Sequence, residues 1–196
     1  MNPTNRRSSM PSSLRSTGLA FFAGVALLLA SAPAMAAFQV SGKPKVNFFA
    51  VGTGAPDIEG VSDKLSIADD GTTLTFTVPM ESVETGMTLR DHHMHQNYVQ
   101  VDQFPNATLS FARSALTLPV EVGESTSGSV QASFTVHGVA APVTVTWSLK
   151  RSKSGYTVDA SFNYDVTKHG IEIPSYLGVT VDPAQKARVR FEMIDA

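Results

Sequence analysis

From residue 73 onward the chain alternates apolar and polar positions with a period of two. Leu74, Phe76 and Val78 alternate with Thr73, Thr75 and Thr77, and Ala107, Leu109 and Phe111 alternate with Thr108 and Ser110. Val130, Ala132, Phe134 and Val136 do the same, as do Val143, Val145, Trp147 and Leu149. Tyr156, Val158, Ala160, Phe162, Tyr164 and Val166 form a longer series, and Val189, Phe191 and Met193 the last. Successive side chains of a strand point to opposite faces, so this pattern predicts six half-buried antiparallel strands. Two weaker strands are predicted before them, over 45–51 and 61–67. In the second, Asp63 falls on the apolar side. Turn-formers separate the segments: Asp70-Gly71, 123–128 and 152–155 read as hairpin loops.

About eight strands in meander order predict an all-β fold, a single antiparallel barrel. Closure removes exposed strand edges, and a barrel of this size has an interior that side chains fill or that holds one small ligand. Residues 79–105 break the rhythm. Within them, Thr88-Leu89-Arg90-Asp91-His92-His93-Met94-His95-Gln96-Asn97-Tyr98 predicts a short helix in a long crossover around 85–98, capped by Thr85 or Thr88. A crossover of this length inside a compact barrel points to function.

The N-terminus changes the picture of where the barrel works. Arg6, Arg7 and Arg15 precede an apolar run over 18–32, and Ala34-Met35-Ala36 follows as a small-x-small cleavage pattern. That is the layout of an export signal, and the run is shorter than the ~20 residues of a membrane span. Residues 1–36 are therefore expected to be cut off after Ala36. Residues 37–196 would then be one exported domain with no transmembrane segment. An uncleaved anchor is the rival reading.

Charge and composition narrow the chemistry. Loss of the three leader arginines makes the formal charge of −2 three units more negative, which gives nucleic acid or an anionic membrane no purchase. The chain has no Cys, so disulfides, thiol catalysis and thiolate metal sites are excluded. His92, His93 and His95 crowd one turn but match no metal-binding spacing, and no cofactor motif is present. Ser, His and Asp occur without a nucleophile elbow. Arg90-Asp91 reads as a local ion pair fixing the crossover, or as a polar contact to a ligand head group. Phe76, Phe111, Phe134, Trp147, Phe162, Tyr164 and Phe191 lie on the apolar faces of their strands. They would fill an ordinary core, or line a cavity with the same side chains.

Several segments in order resemble the signature of the YceI-like, polyisoprenoid-binding family. They are Ser82-Val83-Glu84-Thr85-Gly86-Met87-Thr88-Leu89-Arg90-Asp91-His92-His93-Met94, Gln103-Phe104-Pro105 with Phe111, Phe134-Thr135-Val136-His137-Gly138-Val139 with Pro142-Val143, and Gly170-Ile171 with Pro174 and Leu177-Gly178-Val179. The resemblance implies a lipocalin-like barrel with an elongated apolar pocket. It implies a periplasmic protein that binds a polyisoprenoid, an isoprenoid quinone or a fatty-acid-like lipid, for carriage or sequestration. The ligand-binding residues would be Phe76, Leu89, Arg90, His93, Met94, Tyr98, Phe111, Phe134, Trp147, Phe162, Tyr164 and Phe191. The competing class is a lipid-modifying enzyme with a polar site at the barrel mouth, using Arg90-Asp91, His93 or His137. A third reading is an outer-membrane barrel, opposed by the absence of a terminal aromatic residue. Both a monomer and a homodimer remain open.

Overall fold

A computed structural model describes residues 37–53, 56–173, 175–176 and 179–195. The expected signal over 1–36 lies outside the described residues, as do Pro174, Leu177 and Gly178 of the late motif. The strands are β1 (Phe38–Ala50), β2 (Gly52–Thr53), β3 (Ile58–Ser62), β4 (Ser66–Asp69), β5 (Thr73–Pro79), β6 (Asn106–Ala112), β7 (Ser125–Val136), β8 (Val139–Arg151), β9 (Tyr156–Asp165), β10 (Ser175–Tyr176), β11 (Val179–Val181) and β12 (Ala184–Asp195). The single α-helix among the described residues is α1 (Thr88–His93).

Nine strands form one curled antiparallel sheet in the order β3-β1-β12-β9-β8-β7-β6-β5-β4. The count is nine where the pattern predicted eight. From β4 to β9 the sheet is the expected meander, and β12 then β1 extend it beyond β9. β10, β11 and β2 make a separate small sheet. On β8 the alternation is complete: Val143, Val145, Trp147 and Leu149 are buried, and the residues between them are exposed. All the inward faces feed one apolar core.

The extra strand comes from a misread break. The predicted strand over 61–67 is two strands, because the Ser62 hydroxyl accepts the Lys64 amide (3.0 Å) and turns the chain at 63–65. The turn switches the parity of the inward face. Ile58 and Gly60 point in from β3, but Leu65 and Ile67 do so around β4. Asp63 therefore never faces the core, and it pairs with Lys64 at the surface (3.2 Å). The end strands β3 and β4 are not paired with each other. The seam between β1 and β4 is held instead by the Phe38 amide, which donates to Asp69 Oδ2 (3.1 Å). Arg113 forms an ion pair with the same oxygen (3.1 Å) and lies over the Phe38 ring.

Two of the three expected hairpins are present. Asp70 Oδ1 accepts the amides of Thr72 (2.8 Å) and Thr73 (2.6 Å), and Gly71 adopts φ +86°. Ser152 closes the β8–β9 turn by donating to the Gly155 carbonyl (2.8 Å). The segment 123–128 is not a hairpin loop, since its second half is already β7. Gly128 sits opposite Trp147 in the β7–β8 pair, and a Cβ there would lie 2.9 Å from the indole. This glycine makes room for the only tryptophan of the chain. Gly128→Ala is accordingly expected to lower stability by about 1–3 kcal/mol through overpacking. Urea denaturation followed by far-UV circular dichroism measures this, and an unchanged midpoint would show that the indole shifts freely.

Candidate functional site

The curled sheet forms a half-barrel rather than the closed barrel expected, and it holds two apolar cavities. The inner one is small, about 80 Å³, and lies among Phe76, Phe111, Trp147, Phe162, Phe191 and their aliphatic neighbours. The outer one is about 660 Å³, within the range of small-molecule sites. Phe48 and Phe134 belong to the walls of both. The twelve residues expected from sequence thus fall into two groups. Phe76, Phe111, Trp147, Phe162 and Phe191 surround the inner cavity. Leu89, Arg90, His93, Met94, Tyr98 and Tyr164 line the outer one, and Phe134 stands between them.

The inner cavity is dry by chemistry. Its wall is almost wholly hydrocarbon, and a water needs two or more polar partners to stay. Phe76 stacks on Phe111 (5.6 Å) and meets Phe191 edge-on (6.0 Å). Trp147 is buried, and its Nε1 has no hydrogen-bond partner among the described residues.

The crossover builds one wall of the outer cavity. Its start is tied to the sheet: Met80 donates to the Pro105 carbonyl (2.8 Å), and Val61 and Glu84 exchange backbone bonds (2.8 and 2.9 Å). The expected cap on α1 is not formed by Thr85 or Thr88, because the N-cap is Met87 and makes no side-chain bond. Thr85 serves the helix differently. Its amide donates to Asp91 Oδ1 (2.7 Å), and Arg90 donates to its hydroxyl and its carbonyl (both 2.7 Å). Arg90 and Asp91 therefore grip Thr85 rather than each other, and Arg90 holds the crossover in place while it borders the cavity. After His93 the helix widens to a π-turn, Met94–Tyr98, and Val99 donates back to Met94 (2.9 Å). That widening carries Met94, Asn97, Tyr98 and Val99 onto the cavity wall. Met87 and Leu89 line the same cavity and yet are 55% and 64% exposed, so they mark its mouth.

Val136 at the end of β7, Tyr164 on β9, and Val166 and Ile171 after it add further wall, and the β7–β8 turn lies behind them. His137 and Gly138 both have positive φ (52° and 72°), the geometry of a tight two-residue hairpin. A glycine is required at 138, where a Cβ would fall 2.5 Å from the Phe104 ring. His137 Nδ1 donates to the His169 carbonyl (3.2 Å), and His169 Nδ1 donates to the Val139 carbonyl (2.8 Å). His137 is thus a turn residue, clasped to the neighbouring loop. His169 is 1% exposed and packs edge-on against Phe134 (5.2 Å). The Tyr164 hydroxyl donates to Gln185 Oε1 (3.0 Å), and burial pushes its pKa well above the usual tyrosine range. It stays a neutral donor at any physiological pH.

Sequence reasoning missed Phe48, Met80, Val83, Ile171 and Gln185, all on the outer cavity wall. Phe48 carried a usable signal, since Val46, Phe48 and Ala50 alternate, but Phe49 beside it blurred the pattern. The others sit at element ends, where periodicity is silent.

The sequence model of the YceI-like domain matches residues 35–193. A search of curated protein sequences finds no match. Among solved structures the fold is similar to a polyisoprenoid binding domain from Saccharophagus degradans. The TM-score is 0.69 at 14% identity, covering 82% of this chain and 99% of that one. It is also similar to BcnA of Burkholderia cenocepacia, with a TM-score of 0.58 at 15% identity, covering 76% of this chain and 95% of the other.

Proposed function

Since the chain belongs to the YceI-like domain family, we propose that it binds a long apolar ligand of the isoprenoid or fatty-acid-like class within its barrel, for carriage or sequestration. The observation that carries this reading is the pair of apolar cavities meeting at Phe48 and Phe134 inside one sheet. A compact head would lie in the outer cavity, beside the few polar groups of Arg90, His93, Asn97 and Gln185. The crossover over 81–105 would cover it as a lid. Withdrawing about 300 Å² of ligand hydrocarbon from water gives roughly 7 kcal/mol gross, part of which association consumes. Micromolar affinity, about 8 kcal/mol net, therefore calls for a longer buried tail than this, which favours a long-chain ligand. Of the candidates for the enzyme reading, Arg90 and Asp91 are engaged with Thr85 and His137 with a backbone carbonyl, which leaves His93 on the cavity wall without a second candidate beside it in a shared hydrogen bond among the described residues.

Purification without detergent, followed by organic extraction and lipid mass spectrometry, tests the reading. A stoichiometric isoprenoid or long-chain lipid is the expected result. An empty protein that takes up neither a long prenol nor a long fatty acid would overturn it.

The leader over 1–36 supports periplasmic export, with Ala37 as the first residue of the working protein. Phe38 then opens the first strand directly after the cut. The intact mass of protein from the periplasmic fraction is expected to lack residues 1–36. A mass that retains them would mean an anchored chain.

A further inference from the structure

Phe48 and Phe134 are the only residues among the described ones that line both cavities. They are held very differently. Phe134 is fixed: its ring meets Phe162 (4.9 Å), Tyr164 (5.0 Å) and His169 (5.2 Å) edge-on. Among the described residues no ring packs on Phe48. Its direct neighbours across the two flanking strands are Ala187 on β12 and Gly60 on β3, two of the smallest side chains available. Gly60 is covered by Val83 of the crossover, since a Cβ there would fall 2.8 Å from the Val83 methyl. Phe48 is only partly buried, whereas Phe134 is 3% exposed.

We propose that Phe48 is a swinging gate against a fixed Phe134, and that it decides whether a ligand tail passes from the outer cavity into the inner one. This rests on the lipid-binding reading and adds to it a determinant of ligand length. A short chain fits the outer cavity with the gate shut. A long chain must turn the Phe48 ring aside, toward the small Ala187 on the inner cavity wall, since Val83 already covers Gly60, before its tail reaches the aromatic inner wall.

The protein carries its own reporter of that passage. Trp147 is the only tryptophan, and it borders the inner cavity but not the outer one. Its emission therefore senses a tail that has passed the gate.

The test uses the short isoprenoid alcohol farnesol and the long isoprenoid alcohol solanesol, delivered from cyclodextrin. Binding is read by calorimetry, and tail entry by Trp147 emission in stopped flow. The wild-type protein, Phe48→Ala and the milder Phe48→Leu are compared, with melting temperature as a folding control. Farnesol is expected to bind the wild-type protein and to leave its Trp147 silent, while solanesol shifts the emission, about tenfold faster in Phe48→Ala and at an intermediate rate in Phe48→Leu. If Phe48→Ala fails to fold, Phe48→Leu alone carries the comparison against wild type. Equal solanesol rates in the folded proteins, or farnesol moving Trp147 as far as solanesol does, would overturn the gate. A wild-type protein that binds both alcohols with Trp147 silent would also overturn the gate, leaving lipid binding intact. A wild-type protein that binds neither alcohol would overturn the lipid reading, and the gate with it.

Discussion

A Phe134→Asp chain is expected to lose ligand uptake and most of its folded population. The Phe134 ring contributes to both cavity walls and contacts three other rings. Removing it costs about 3–5 kcal/mol in lost transfer energy and unfilled volume. The introduced carboxylate adds several kcal/mol more, because it is buried without a charged partner or must take up a proton. A typical domain is stable by only about 5–15 kcal/mol, so the combined loss leaves little. Thermal unfolding measures the effect, and Phe134→Leu serves as a volume-reduced control that keeps the wall apolar. A melting temperature and lipid occupancy equal to those of wild type would mean that this face of β7 does not form the interior.

The barrel was legible in the sequence because each of its central strands has one wet face and one dry one. On β7 and β8 the alternation of Val130 to Val136 and of Val143 to Leu149 matches the buried positions one for one. The failures sit where that single-face rule does not hold. Ser62 bends the chain with its own hydroxyl, and no hydropathy pattern records a local side-chain bond of that kind. Gly128 read as a turn residue on conformational grounds, yet it is a strand residue chosen for the space above it. That reason is visible only once Trp147 is known to stand opposite.

The candidate site was legible in part for the same reason. Strand aromatics could be assigned to the interior, and the crossover stood out by lacking alternation. Its division into two cavities could not be foreseen, because it depends on which rings from distant strands meet. Phe134 on β7 and Phe48 on β1 lie far apart in the sequence. The role of Arg90 was readable only as a choice between holding the crossover and touching a head group. Its two bonds to Thr85 brace the crossover internally, and the same side chain borders the outer cavity.

The seam of the barrel gives the other large effect. Asp69→Ala is expected to destabilise the fold by about 3–5 kcal/mol, the usual consequence of removing one member of a buried ion pair. The Asp69 side chain is 1% exposed and that of Arg113 is 12%. Asp69 Oδ2 takes the Phe38 amide and pairs with Arg113, while Oδ1 accepts the Gly71 amide (2.9 Å). One carboxylate thus joins the start of β1, the β4–β5 turn and the segment after β6. No backbone ladder between β3 and β4 duplicates that connection. Its loss takes the Asp69 partner from the guanidinium over the Phe38 ring and leaves the Phe38 amide without this acceptor at a sheet edge. The damage should therefore localise. Hydrogen exchange is expected to quicken first in β1 near Phe38 and in β4, with β7 and β8 retaining protection until global unfolding. Asp69→Asn separates charge from shape, since it preserves an acceptor for the amides and removes the pairing with Arg113. A smaller loss than Asp69→Ala is expected of it. If Asp69→Ala unfolds at the wild-type denaturant midpoint, side-chain packing alone closes the barrel and the ion pair is dispensable.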